Sequence, residues 1–328
     1  MINFATVGTS WITEEFITTG QTFPDFCLYS VYSRSEEKSK AFAEKHGAKM
    51  FYCDLDAMLA DKNIDAVYIA SPNSLHCSQA IAAMNAGKHV ICEKPVASNL
   101  RELDEMISCA DKNGVLFMEA FKSILMPGFI ACAEALPKAG LLRSAYINFS
   151  KYSSRYDAHK RGDNVNTFKA EFSNGAVMDL GVYCIWPMVA LFGEPKEIKA
   201  FSNIVPGGVD GAGTAIFLYD TFTVTLNYSK VSNSFLPSEI QGEDATITVD
   251  KFNIPEKVFV RYRDGRTEDI PVDQREDSMC YEIEEFMACI KSGKTESSVN
   301  SRKMSRAVMK ILDEIRRQTG IVYPADNK

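Results

Sequence analysis

Glu93-Lys94-Pro95 follows directly on the apolar run His89-Val90-Ile91-Cys92, so a lysine stands where a buried parallel strand should end. In open α/β sheets, ligands bind beyond that edge. Pro95 biases Lys94 toward an extended conformation, which sets the direction in which its side chain leaves the strand. An ammonium aimed this way can polarise a bound carbonyl. The plainer alternative is a strand-end charge reaching solvent. The first strand ends in Gly8-Thr9-Ser10-Trp11-Ile12-Thr13 and enters a helix, which is where the dinucleotide fingerprint belongs. Only Gly8 of that fingerprint is kept, with Ser10 and Thr13 in the second and third glycine positions. The helix N-terminus still offers amides and positive potential to a phosphate, and the Ser10 hydroxyl can donate beside them. An ordinary strand-to-helix turn is the competing reading.

Three further strand ends point the same way. The second strand closes in Val31-Tyr32-Ser33-Arg34, where an NAD-preferring protein places an acid for the ribose hydroxyls. A guanidinium binds phosphate in a bidentate manner and a hydroxyl can donate next to it, so Ser33 and Arg34 favour NADP(H) over NAD(H). Otherwise Arg34 is an exposed cap on the following helix. The run at 65–70 leads into Ser71-Pro72-Asn73-Ser74-Leu75-His76, and that at 115–118 into Glu119. Independent turns rarely align several polar ends on one sheet edge. His76 reads either as part of that edge or as a helix-surface histidine.

The elements that must carry these residues follow from periodicity. Strand patterns fall at 2–7, 27–32, 49–52, 65–70, 88–92 and 115–118, separated by helical segments. Ser35 caps one helix that stops at Gly47, Asn73 or Ser74 one that ends near Gly87, and Asn99 one that ends near Gly114. Residues 1–121 therefore predict a doubly wound parallel sheet of Rossmann type. From 122 to 328 the texture changes to strands at 145–152, 198–203, 214–218, 222–229, 238–241, 246–249 and 258–263. Tight turns such as Tyr219-Asp220 and Asp264-Gly265 favour a mostly antiparallel sheet. Helices at 127–139, 179–192, 279–292 and 301–319 cover one face of it, and a partner subunit is the simplest cover for the other.

Bulk properties exclude several classes. The 328 residues suit two domains, and 46% hydrophobic with 24% charged residues is the composition of a soluble globular protein. Lys and Arg number 36 against 43 Asp and Glu, giving −7 without a basic block, so no nucleic-acid partner is expected. The N-terminus reads as a strand rather than a signal peptide, and no apolar run is expected to span a membrane. Nine cysteines without a Cys-x-x-Cys pair read as thiols of a reducing cytoplasm, and the four histidines have no metal-ligand spacing, so no metal is expected.

Taken together, Gly8-Thr9-Ser10-Trp11-Ile12, Ser71 to His76, Glu93-Lys94-Pro95 and Met178-Asp179-Leu180-Gly181-Val182-Tyr183 resemble the Gfo/Idh/MocA oxidoreductase family along essentially the whole chain. The resemblance implies a nicotinamide-binding Rossmann domain and a second α/β domain whose open sheet makes subunit contacts in a homodimer or homotetramer. It implies hydride transfer between a nicotinamide and a sugar, polyol or related alcohol such as a dihydrodiol. By position it also implies that Lys94 contacts the nicotinamide ribose and the reacting oxygen, that Tyr183 is the proton donor or acceptor, and that Asp179 orients the pair. A tyrosine at 183 in place of the histidine of many relatives weakens a close analogy to the inositol dehydrogenases and resembles the dimeric dihydrodiol dehydrogenases and glucose-fructose oxidoreductases. The reading from a different class is a nucleotide-binding sensor that kept the fold and lost the chemistry. A third is a lyase or glycosidase that oxidises its substrate only transiently.

Overall fold

The computed structural model describes residues 1–327, which form two units: Met1–Lys122 with Asp277–Ser305, and Ser123–Glu276 with residues 306–327. In the first, strands β1 (Ile2–Val7), β2 (Phe26–Tyr32), β3 (Met50–Tyr52), β4 (Ala66–Ile69), β5 (His89–Glu93) and β6 (Phe117–Ala120) pair only in parallel. Their order is β3-β2-β1-β4-β5-β6, that of a dinucleotide-binding sheet with its switch point between β1 and β4. The connecting helices are α1 (Trp11–Gly20), α2 (Glu36–His46), α3 (Leu55–Leu59), α4 (His76–Asn85) and α5 (Leu100–Asn113). Their ends obey local chemistry. Ser35 accepts from the Lys38 amide and Asn99 from the Glu102 amide, while Gly47 and Gly114 close α2 and α5 in the left-handed conformation.

The second unit holds an eight-stranded sheet in the order β14-β13-β12-β11-β7-β10-β9-β8. Its strands are β7 (Leu142–Ser150), β8 (Glu197–Val205), β9 (Val209–Leu218), β10 (Thr223–Ser229), β11 (Ser238–Gly242), β12 (Ala245–Val249), β13 (Val258–Tyr262) and β14 (Thr267–Ile270). All neighbours are antiparallel except β7 and β10, which run parallel because the chain between them crosses over through helices before returning. β14 escaped the strand pattern because Thr-Glu-Asp-Ile is acidic, as befits an exposed edge. Helices α6 (Pro127–Ala135), α7 (Tyr156–Lys160) and α8 (Val182–Phe192) lie between these strands in sequence. α8 packs on β7 and β10, and α6 on β12 and β13. The inward residues Ile147, Phe217, Leu226, Ile240, Ile247 and Val260 are buried, while Phe201 and Ile216 of β8 and β9 stand 76% and 43% exposed.

The stretch Ala170–Phe192 is long and apolar enough by length and composition to cross a membrane, contrary to the expectation that no run would qualify. It is a core element. Two thirds of its apolar window is buried inside the fold, and a left-handed Ser173 with a bend at Gly175 interrupts it.

The chain after 276 departs from the division at 121. α9 (Cys280–Lys291) belongs to the first unit, and α10 (Arg302–Thr319) starts there before continuing into the second. One face of the parallel sheet presents Phe4, Tyr68, Ile91, Leu116 and Met118, and Met279, Ile283, Phe286 and Met287 bury against them. Phe286 stands 6.0 Å from Phe4, ring centre to ring centre. An amphipathic pattern tells only that a helix has an apolar face, not which sheet it covers.

Candidate active site

Every nucleotide-site residue read from the sequence sits at or beside the C-terminal end of a parallel strand. After β1 the chain turns at Gly8 with φ +115, where an added Cβ would come 2.7 Å from the Ala70 carbonyl oxygen. Glycine is therefore required for the β1 and β4 ends to approach. Ser10 follows as the N-cap of α1, extended, with no side-chain bond to the helix amides. The first-turn amides of Trp11, Ile12 and Thr13 thus lack intrahelical acceptors, which is the arrangement that takes a phosphate. Ser10 and Thr13 hydroxyls are 3.4 Å apart, Thr13 is buried and Trp11 is 73% exposed. After β2, Ser33 accepts from the Ser35 amide and Arg34 is exposed. After β4, the Ser71 hydroxyl donates to Gln79 at 2.6 Å, and Pro72 and Asn73 lead into α4. This set fits a nicotinamide dinucleotide.

Lys94 is half-buried, and the Lys94-Pro95 bond is cis. Three neighbours hold the chain around it. The buried His76 has Nδ1 3.0 Å from the Pro95 carbonyl and Nε2 2.9 Å from that of Ser71, which places it between the β4 and β5 loops. Its burial sets aside the helix-surface reading. Burial pushes its pKa down while the two carbonyls pull up, and burial prevails. Glu119 is buried too, accepting from the Val96 amide at 3.3 Å and the Ser305 hydroxyl at 2.8 Å. Glu93 accepts from the Tyr68 hydroxyl at 2.7 Å and from the Lys94 amide at 3.2 Å. His76, Glu119 and Glu93 therefore act on the backbone that carries Lys94.

A second buried carboxylate, Glu282 of α9, accompanies Glu93, and burial followed by the charge of Glu93 raises its pKa well above the usual range. Burial likewise raises Glu93, opposed chiefly by Lys94. No local signal ties Glu282 to Lys94 in the sequence, since they are far apart along the chain.

In the second unit, Asp179 lies in a π-helical turn, Val177–Gly181, that leads into α8, and Tyr183 follows one turn later. Such turns recur at functional sites. The Tyr183 ring meets Phe149 edge-on, 5.5 Å between centres. The Asp179 carboxylate pairs at 2.9 Å with Lys230, whose side chain is 2% exposed against 34% for Asp179. The turn begins where buried Asp210 accepts from the Ala176 and Val177 amides at 2.9 and 2.8 Å. Gly175, φ +143, is obligatory beside it, because a Cβ there would approach Asp210 to 2.2 Å. Lys230 and Asp210 were not recognisable from sequence, the one just past β10 and the other on β9, with no motif around them.

Burial pushes the Asp210 carboxyl from 3.8 up to about 6, with the two amides and Lys230 opposing. The folded state therefore holds this proton more tightly than the unfolded chain, so the group's contribution is fully present below about pH 3.8 and is lost as pH rises through about 6. Replacing Asp210 by Asn should cost about 1–3 kcal/mol at low pH through a mismatched amide. Urea unfolding of both proteins from acid to neutral pH should show that difference shrinking as pH rises, by up to about 3 kcal/mol. A gap independent of pH would mean that Asp210 does not titrate in this range.

Two family models match the chain: residues 2–121 fit an oxidoreductase family with an NAD-binding Rossmann fold, and 139–248 fit the GFO/IDH/MocA C-terminal domain. The chain belongs to the Gfo/Idh/MocA oxidoreductase family. One curated relative, the scyllo-inositol 2-dehydrogenase (NADP(+)) IolU of Bacillus subtilis (strain 168), is 50% identical over 326 residues, 99% of each chain. The trans-1,2-dihydrobenzene-1,2-diol dehydrogenase of Danio rerio is 27% identical, covering 97% of this chain and 96% of its own. The aldose-aldose oxidoreductase of Caulobacter crescentus, solved with glycerol, superposes with a TM-score of 0.85 at 19% identity over 97% of both chains, a likeness of fold. Distance from the inositol dehydrogenases, expected from Tyr183, is not upheld: a relative bearing that name shares half of the residues of this Gfo/Idh/MocA chain.

Proposed function

We propose that this protein is an NADP(H)-dependent dehydrogenase that transfers hydride between the nicotinamide and a ring carbon of a cyclic polyol or sugar. The full-length identity of 50% to an NADP(+)-dependent scyllo-inositol 2-dehydrogenase carries this reading. The dihydrodiol dehydrogenases extend the substrate class toward vicinal diols on a ring. Residues 1–121 take the nucleotide and 122–328 the substrate and subunit contacts, with the returning segment 277–305 supporting the nucleotide unit.

Gly8, Ser10, Trp11 and Ile12 present the helix amides to the pyrophosphate, Ser33 and Arg34 take the 2′-phosphate, and Ser71, Pro72 and Asn73 line the nucleotide beyond β4. When bound, the nicotinamide supplies or accepts the hydride. The chain supplies the rest. Lys94 stabilises negative charge on the reacting oxygen. Tyr183 gives that oxygen its proton in reduction and removes it in oxidation. Asp179 fixes the orientation of this group. Exposed Phe201, Ile216 and Leu218 on the uncovered sheet face support a homodimer or homotetramer. Free cysteines and this cofactor are in keeping with a cytoplasmic enzyme.

Titration with NADPH and with NADH, followed by quenching of the exposed Trp11, tests the nucleotide assignment. NADPH should saturate at a concentration at least about tenfold lower, and Arg34→Ala should raise the NADPH Kd about 10- to 100-fold while leaving NADH unaffected. Tighter NADH binding would overturn the role of Arg34. Oxidation of scyllo-inositol with NADP+, with other cyclic polyols and aldoses as alternatives, tests the substrate class.

A further inference from the structure

Lys230 is a buried charged group that this reading does not use. It follows β10 directly, and its backbone is clamped on both sides, donating to Gly211 O and accepting from Ser153 N, each at 2.8 Å. The side chain is thereby directed into the unit, where it is 2% exposed. Its ammonium donates to the Thr167 carbonyl at 3.0 Å, lies 5.0 Å above the Phe168 ring and pairs with Asp179 at 2.9 Å. Asp210 faces it electrostatically from β9, and His159 stacks on the same Phe168 ring at 4.7 Å.

Taking an ammonium out of water is costly unless excellent partners replace the solvent. A lysine needed only to tie down the Thr167 carbonyl could be replaced by any neutral donor. A full charge is what holds a carboxylate ionised and in one rotamer where it is still partly exposed, and Asp179 is 34% exposed. We propose that Lys230 is the positioning residue for Asp179, holding it as an oriented carboxylate one helical turn before Tyr183. This rests on the dehydrogenase reading above for its consequence in catalysis, though not for its effect on Asp179 itself. Thr167, Phe168 and Lys230 form a cradle whose product is the fixed acceptor at Asp179.

Two arms test it. In the protein labelled with carbon-13 at aspartate side-chain carboxyls, with Asp179→Asn giving the assignment, Lys230→Met should raise the pH midpoint of the Asp179 carboxyl by about one pH unit or more. This arm needs no substrate. In turnover of scyllo-inositol with NADP+, Lys230→Met should lower kcat about 10- to 100-fold and displace its pH profile, with the NADPH Kd within about twofold of the parent. In an Asp179→Asn background the same change should cost nothing further, since residues acting through one another are not additive. Lys230→Gln, which keeps a donor for Thr167 without the charge, serves if the methionine variant does not fold. An unmoved Asp179 midpoint, or a loss that adds in full to that of Asp179→Asn, would reduce Lys230 to a structural pin. A fully active Tyr183→Phe would instead remove the proton-transfer reading, and the carboxyl midpoint would still report on Lys230.

Discussion

Replacing Tyr183 by phenylalanine is expected to lower kcat by about 10²- to 10⁴-fold, the range in which a positioned proton donor acts. The change deletes one oxygen. The edge-on contact with Phe149 at 5.5 Å survives in phenylalanine, and the half-buried ring keeps its place on α8. Stability and NADPH affinity should therefore stay within about twofold, because nothing else in the side chain is altered. Steady-state turnover together with the NADPH titration checks both halves. Turnover within about threefold of the parent would place the proton donor elsewhere, since general acid–base catalysis is worth far more than that.

Lys94→Met is expected to cost about 10²- to 10³-fold in kcat, comparable to removing one preorganised donor from a developing oxyanion. The methylene stem is kept, so packing suffers little. His76, Glu119 and Glu93 hold the surrounding backbone through contacts that the substitution does not touch. Lys94 is the chief influence lowering the Glu93 pKa, so its removal should shift that pKa further upward. Because the lysine is also read as touching the nicotinamide ribose, the NADPH Kd should rise, though by less than the loss in kcat. A rise in Kd with kcat unchanged would assign Lys94 to nucleotide binding alone.

These two residues illustrate how unevenly the molecule could be read in advance. The six parallel strands were readable because a strand buried on both faces is a nearly continuous apolar run, and the caps at Ser35, Asn99, Gly47 and Gly114 obey rules that act within a few residues. The antiparallel sheet was readable from alternation and turns, apart from its acidic edge β14 and the parallel join of β7 to β10, which depends on a crossover and not on either strand's own residues. His76 and Glu119 were picked out by position on the sheet edge, yet whether their polar atoms face a ligand or a neighbouring loop depends on partners 19 and 186 residues away.

The sequence by itself thus determined the Rossmann sheet, the strand ends that gather Gly8, Arg34, Asn73 and Lys94, and the family to which the chain belongs. Those properties rest on local periodicity, turn chemistry and short motifs. Only the tertiary structure decided that α9 covers the nucleotide sheet, that Glu282 accompanies Glu93, and that Asp210 and Lys230 hold the turn carrying Asp179. The reason is physical: a buried charge is tolerated only where the fold brings it a partner, and which distant partner that is depends on how the elements pack.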